Sequence, residues 1–163
     1  MKKISVSALY LYVGLTIGLL FVFLIPPFQS PDEDSHFKKS YQISRGHLYG
    51  TSEDGKIGNT FPVEMIEYIR EKLSMIGDRD QKYKYSELIA DQYSTMDYHH
   101  TSFHNYSTVD VMPVTYFVPA FGIIIGKGFA RILGRSSVST VYMLYFARLF
   151  SFLFHLLDRK SVV

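Results

Sequence analysis

The residues best suited to chemistry lie in one short stretch, "SPDEDSHFKKSYQISRG", residues 30–46. It puts three carboxylates, Asp32, Glu33 and Asp34, close to His36 and ahead of Arg45. On a helix Asp32 and His36, four apart, share one face, while Phe37 and Tyr41 form an apolar pair on an adjoining one. An acid beside an imidazole can hold a divalent cation or orient a general base. The same residues also describe an ordinary capped surface helix. Ser30 suits the N-cap, Pro31 the first helical position, Glu33 the far corner of a capping box, and Gly46 the position past the end. Carboxylates in the first turn then complement the partial positive charge of the helix terminus. Capping accounts for Glu33 better than for Asp32.

A second group is Asp97, His99, His100 and His104 in "TMDYHHTSFHNYS". His100 and His104 stand four apart and could share a transition metal on one helix face. The Ser, Thr and Asn around them make a poor helix, and the spacing matters only on a helix. The third candidate is Arg148, the single charge of residues 136–157. A cation at that depth in a bilayer costs roughly 2.5 to 3.5 kcal/mol, so it should face a bundle interior, a watery cavity or an anionic partner. If the helix is tilted or interfacial, Arg148 can instead snorkel.

The elements that must position these residues are mostly apolar helices. Residues 4–25 hold no charge over 22 positions. At about 1.5 Å per residue this run spans a hydrocarbon core of about 30 Å. The competing reading, a cleaved signal peptide behind Lys2 and Lys3, fits less well. The run exceeds the roughly 7 to 15 apolar residues of a signal peptide, and no small-x-small cleavage site stands at its end before Pro26. A second apolar stretch, 112–133, contains Pro113 and Pro119 and reads as a kinked or broken span. Gly122 and Gly126 bare one of its faces for helix packing. A third span covers 136–157, and residues 158–163 form a short tail. Within the loop, residues 61–78 carry Val63, Ile66, Ile69, Leu73 and Ile76 at helical spacing, and Gly77 suits the cap. Helices are expected near 31–45 and 61–76, with "TSEDGKIGNT" as a turn-rich linker and at most a short helix around residues 86–92.

Charge suggests an orientation. Residues 26–112 hold 14 acidic and 9 basic side chains, whereas the rest of the chain holds 1 acidic and 8 basic ones. The positive-inside rule then puts the N-terminus, Lys127, Arg131 and Arg135 on the cytoplasmic side and loop 26–111 outside the cell membrane. The tail "DRK" falls outside in this scheme. The loop's basic residues do not cluster, which argues against nucleic acid as a partner. There is no cysteine and hence no disulfide. The expected class is an all-α integral membrane protein of about three transmembrane helices with a large extracytoplasmic loop between the first and second.

The order of features is familiar. A basic start, one span, "PPFQSPDEDSHFKKSYQISRG", a long loop, "MPVTYFVPAFGIIIGKGFARILG" and "YFARLFSFLF" resemble the N-terminal part of a family of bacterial multi-pass membrane proteins of unknown function. That family is itself similar to the C-class glycosyltransferases, whose donors are polyprenyl-phosphate-linked sugars. The resemblance implies a fragment of a larger C-class-like bundle, inactive alone, cut within its tail. It implies an acidic catalytic base or metal ligand at the outer end of the first span, matched by Asp32 or Glu33, with Asp32 preferred and His36 beside it. A divalent metal ion is the one cofactor this reading suggests. Arg45 and Arg148 are candidate partners for the lipid-linked phosphate, though no motif assigns them. Two functions follow. One is transfer of sugar from a polyprenyl-phosphate donor in cell-surface polysaccharide assembly. The other is a non-catalytic multi-pass membrane protein whose external loop binds a partner or assists polysaccharide export.

Overall fold

The computed structural model describes residues 5–158. The first helix, α1 (Val6–Leu24), begins at Ser5, whose hydroxyl accepts from the Ala8 amide. It is apolar on every side and only 6% of its most apolar window is buried, as expected of a helix whose solvent is lipid. Helix α2 (Glu33–Ser44) follows, then a hairpin of β1 (Thr51–Glu53) and β2 (Lys56–Pro62). Helices α3 (Val63–Ser74) and α4 (Tyr85–Tyr93) precede β3 (Thr101–His104), which completes an antiparallel sheet in the order β1-β2-β3. A 3-10 turn (Pro113–Tyr116) leads into α5 (Phe117–Ile132), and α6 (Thr140–Asp158) ends the described chain. Three segments are long and apolar enough to cross a membrane: Val6–Leu24, Pro113–Ile132 and Thr140–Asp158.

The fold is mostly helical, but the three-stranded sheet makes the all-α expectation approximate. The supposed linker is the hairpin itself. Asp54 and Gly55 both have positive φ, 50° and 74°, and form the tight turn whose twist suits the flanking strands. Isolated short strands escape a reading based on helical period, yet the Asp-Gly pair was a legible cue. The α3 expectation fares better. Ile66 and Ile69 are buried and Gly77 has φ 80° past the helix end.

One core binds the loop to the membrane helices. Phe28, Phe37, Tyr41, Phe61, Met65 and Ile69 pack with Ile123, Ala130, Met143 and Leu144, so α2, the sheet and α3 share a single interior with α5 and α6. Gly122 and Gly126 carry the α5–α6 contact. A Cβ on Gly122 would lie 2.6 Å from the Phe146 carbonyl oxygen, and one on Gly126 would lie 2.6 Å from the Phe146 ring. The expected kink is instead a junction of two helix types. Pro113 opens the 3-10 turn and Pro119 lies in the first turn of α5, where a missing N–H costs no hydrogen bond. Helices α1 and α6 are antiparallel: Gly14 faces Leu156, Gly18 faces Phe152, and Val22 packs with Val141 and Tyr145.

Candidate functional site

The acidic turn follows α1 directly, and each of its three carboxylates has a different fate. Asp34 pairs with Lys38 one turn on, at 2.9 Å. Glu33 leaves its helix altogether. Its Oε1 accepts from Arg148 Nε at 2.6 Å and its Oε2 from Arg148 Nη2 at 2.7 Å, while Oε2 also accepts from the Phe28 amide at 2.9 Å. The capping box expected between Ser30 and Glu33 is therefore absent. The residue before the helix is Asp32, not Ser30, and no side chain caps the terminus. A bidentate guanidinium offers the carboxylate more than one backbone amide can.

Arg148 explains itself once its partners are counted. Nη1 donates to the carbonyls of Val22 and Ile25, at 3.2 and 2.7 Å, and Nη2 donates to Pro26 at 3.0 Å. Together with the two bonds to Glu33, all five N–H groups are used. The last carbonyls of a helix have no intrahelical donor, so Arg148 closes the end of α1 as it pairs with the start of α2. The anionic partner required by a cation in an apolar helix is Glu33. In this arrangement neither residue has the free capacity that catalysis by Glu33 or phosphate binding by Arg148 would need.

Asp32 is what remains of the acidic turn. It is exposed, and its side chain has no hydrogen-bond or ionic partner among the described residues. Its backbone is left-handed, with φ 57° and ψ 8°. Aspartate tolerates that region better than most residues, but outside glycine it remains uncommon. His36 does not pair with Asp32. Its Nδ1 lies 2.9 Å from the Tyr116 hydroxyl, and the two rings stack with centroids 5.7 Å apart. Tyr116 lies 80 positions from His36 in the chain, so no local spacing connects the two.

Between α1, α2, the start of α5 and α6 lies a cleft of about 710 Å³. Its walls are chiefly apolar, with Phe21, Val118 and Phe152 among them. Ser30, Glu33, His36, Tyr116 and Arg148 are among its polar residues, with Ser151 and His155 further along α6. A chiefly apolar trough with a few polar groups suits an amphiphile.

The other candidates lie elsewhere. Arg45 is exposed beyond α2, where it donates to the Thr60 carbonyl at 3.2 Å and sits over the Tyr41 ring. His100 and His104 fall on an extended segment, not a helix. His104 pairs with Asn59 across the sheet, and the His100 carbonyl accepts from the Val63 amide. Four residues of strand separate them by about 13 Å, too far to share an ion. His99 and Asp97 form a local turn in which the aspartate accepts from the His99 amide. Among the described residues no three His, Asp or Glu side chains converge as a metal site would require.

Residues 15–157 match the family described as predicted membrane protein (DUF2142), and the chain belongs to that family. No curated protein and no solved structure matches it.

Proposed function

We propose that the chain is the N-terminal portion of a membrane glycosyltransferase that transfers sugar from a polyprenyl-phosphate donor in cell-surface polysaccharide assembly. The observation that carries this reading is the isolation of Asp32. Of the three carboxylates in the acidic turn it alone has no partner among the described residues, and it is held in a left-handed backbone between Ser30 and Glu33, which line the chiefly apolar cleft. Residues in sparsely populated backbone regions concentrate at functional sites. In the reaction, an acceptor hydroxyl attacks the anomeric carbon as the bond from that carbon to the donor phosphate breaks. The hydroxyl proton passes to the Asp32 carboxylate, and polyprenyl phosphate leaves. The apolar walls hold the lipid chain, and His36 orients phosphate or acceptor through its outer face. Because the residues around Asp32 do not by themselves build a cation site, its assigned part is to take the proton. Localisation in the cell membrane, with residues 26–111 outside, belongs to the same proposal.

The test is sugar transfer in a family member, with the carboxylate matching Asp32 replaced by the amide. Transfer should be abolished while membrane insertion and thermal stability stay at wild-type levels; retained transfer would overturn the assignment. The second reading, a non-catalytic protein that binds a partner or assists export, is favoured by one observation. Two of the charged residues expected in the site, Glu33 as a catalytic candidate and Arg148 as a phosphate partner, are consumed in holding helices together. On that reading the same substitution is silent.

A further inference from the structure

Both ends of α5 are tied to one side of the molecule. At its start, the Tyr116 hydroxyl meets His36 on α2, and Thr108 shortly before donates to the Ser35 carbonyl. Towards its end, the Lys127 ammonium lies 4.5 Å from the Tyr41 ring on α2 and 5.7 Å from Tyr98. Just past it, Arg135 donates to the Gln92 carbonyl. His36 and Tyr41 are separated by only about 7.5 Å along α2. A helix that crossed the bilayer could not touch both near its opposite ends.

Depth gives the same answer. Arg148 marks the level at which α1 ends, because it donates to the Ile25 carbonyl. Phe117 and Phe121, at the start of α5, share an apolar groove with Phe150, Leu153 and Phe154 of α6. Phe154 lies six residues beyond Arg148, about 9 Å along the helix, against a hydrocarbon core of about 30 Å. Parity completes the argument. Because α1 and α6 are antiparallel, the first residues of α1 and the last of α6 lie on the same side. Two crossings bring them together and three would separate them.

We propose that α5 dips into one leaflet and returns to the side it came from, so that the described chain crosses the bilayer twice. The partner of its exposed edge, Phe117, Phe121 and Ile124, is the acyl region of that leaflet. The two-crossing arrangement corrects the orientation expected from charge: Lys127, Arg131 and Arg135, put on the cytoplasmic side by the positive-inside rule, fall instead on the side of the 26–111 loop, where Lys127 meets Tyr41 and Tyr98 and Arg135 donates to Gln92. The chain has no cysteine, so single cysteines can be introduced at exposed Glu53 in β1, at exposed Ser136 after α5, and at Ser161 beyond α6. With a membrane-impermeant maleimide, applied to spheroplasts and to inverted vesicles, positions 53 and 136 should label from the same side and 161 from the other. Labelling of 136 from the side opposite 53 would overturn the proposal.

A second inference rests on charge rather than on topology. Arg45, Lys127, Arg131 and Arg135 line a pocket of about 290 Å³ together with Tyr41 and Tyr98, and no carboxylate lines it. None of the four cations forms a salt bridge among the described residues, and Lys127 and Arg131 have no hydrogen-bond acceptor there. Burial pushes the Tyr41 phenol up to about 12, against the pull of Arg45, so it supplies no counter-charge. We infer that this pocket binds a phosphate-bearing anion, whether or not sugar is transferred. Two probes separate a free phosphate from a lipid headgroup: titration of the full chain in detergent with inorganic pyrophosphate, and native mass spectrometry after incubation with phosphatidylglycerol. Arg131→Gln is the chosen variant, because Arg131 is exposed and holds nothing in place. Binding of either probe to wild type, reduced about tenfold in the variant, supports the inference. Binding of neither, or equal binding to both proteins, overturns it.

Discussion

Glu33 and Arg148, 115 positions apart in the chain, meet through two hydrogen bonds of 2.6 and 2.7 Å, and the guanidinium also takes the last carbonyls of α1. One ion pair thus joins the end of α1, the start of α2 and the middle of α6. Both side chains are nearly buried, Glu33 at 15% exposure and Arg148 at 10%. A pair so shielded is costly to break on one side, because the surviving charge is left without its partner.

Glu33→Gln should therefore lower stability by about 3 to 5 kcal/mol. Glu33→Gln combined with Arg148→Met should cost clearly less than the sum of the two single changes. Thermal unfolding in detergent measures this. Additive losses would show that the two residues are not coupled.

Asp32→Gly separates stability from function. Glycine adopts φ 57° without a Cβ penalty, and the Asp32 side chain has no hydrogen-bond or ionic partner among the described residues. The variant should keep wild-type stability within about 1 kcal/mol, and the matching change in a family member that transfers sugar should abolish transfer. A large loss of stability would show that the carboxylate is structural.

The glycines of α5 should differ sharply. Gly122→Ala puts a Cβ 2.6 Å from the Phe146 carbonyl oxygen, so α5 and α6 must move apart at a cost of about 1 to 3 kcal/mol. Gly128→Ala meets nothing within 4 Å and should be tolerated. Melting temperatures of the two variants make the comparison.

His104 should titrate below the ordinary imidazole value of 6.5, because burial and the nearby Lys38 and Arg70 disfavour its cation. The folded state then binds fewer protons than the unfolded chain. The stability from a neutral His104 is complete above 6.5 and is lost as pH falls through the lowered value. An NMR titration of the His104 ring checks this, and a midpoint at or above 6.5 would refute it.

Much of the fold was legible because its signals are local. Apolar length marked three membrane-competent helices, helical period marked α3, and Gly46 and Gly77 marked helix ends. The stretch expected as a linker, residues 51–60, is instead a hairpin, because helical period does not register short strands paired across an Asp-Gly turn. At the site, local pattern narrowed attention to Asp32, Glu33, His36 and Arg148, and it anticipated that Arg148 needs an anionic partner.

By itself, then, the sequence determined which segments are helical and which of them favour lipid, since both depend on neighbours a few residues away. Only the tertiary structure decided that Glu33 is the partner of Arg148, that Tyr116 takes His36, and that Asp32 has no partner among the described residues. It alone also set Lys127 and Arg135 against the domain that contains Tyr41. Such choices turn on contacts between residues tens of positions apart, where a bidentate ion pair or a buried ring outweighs a cap or a charge count. Those competitions are resolved only when the helices pack.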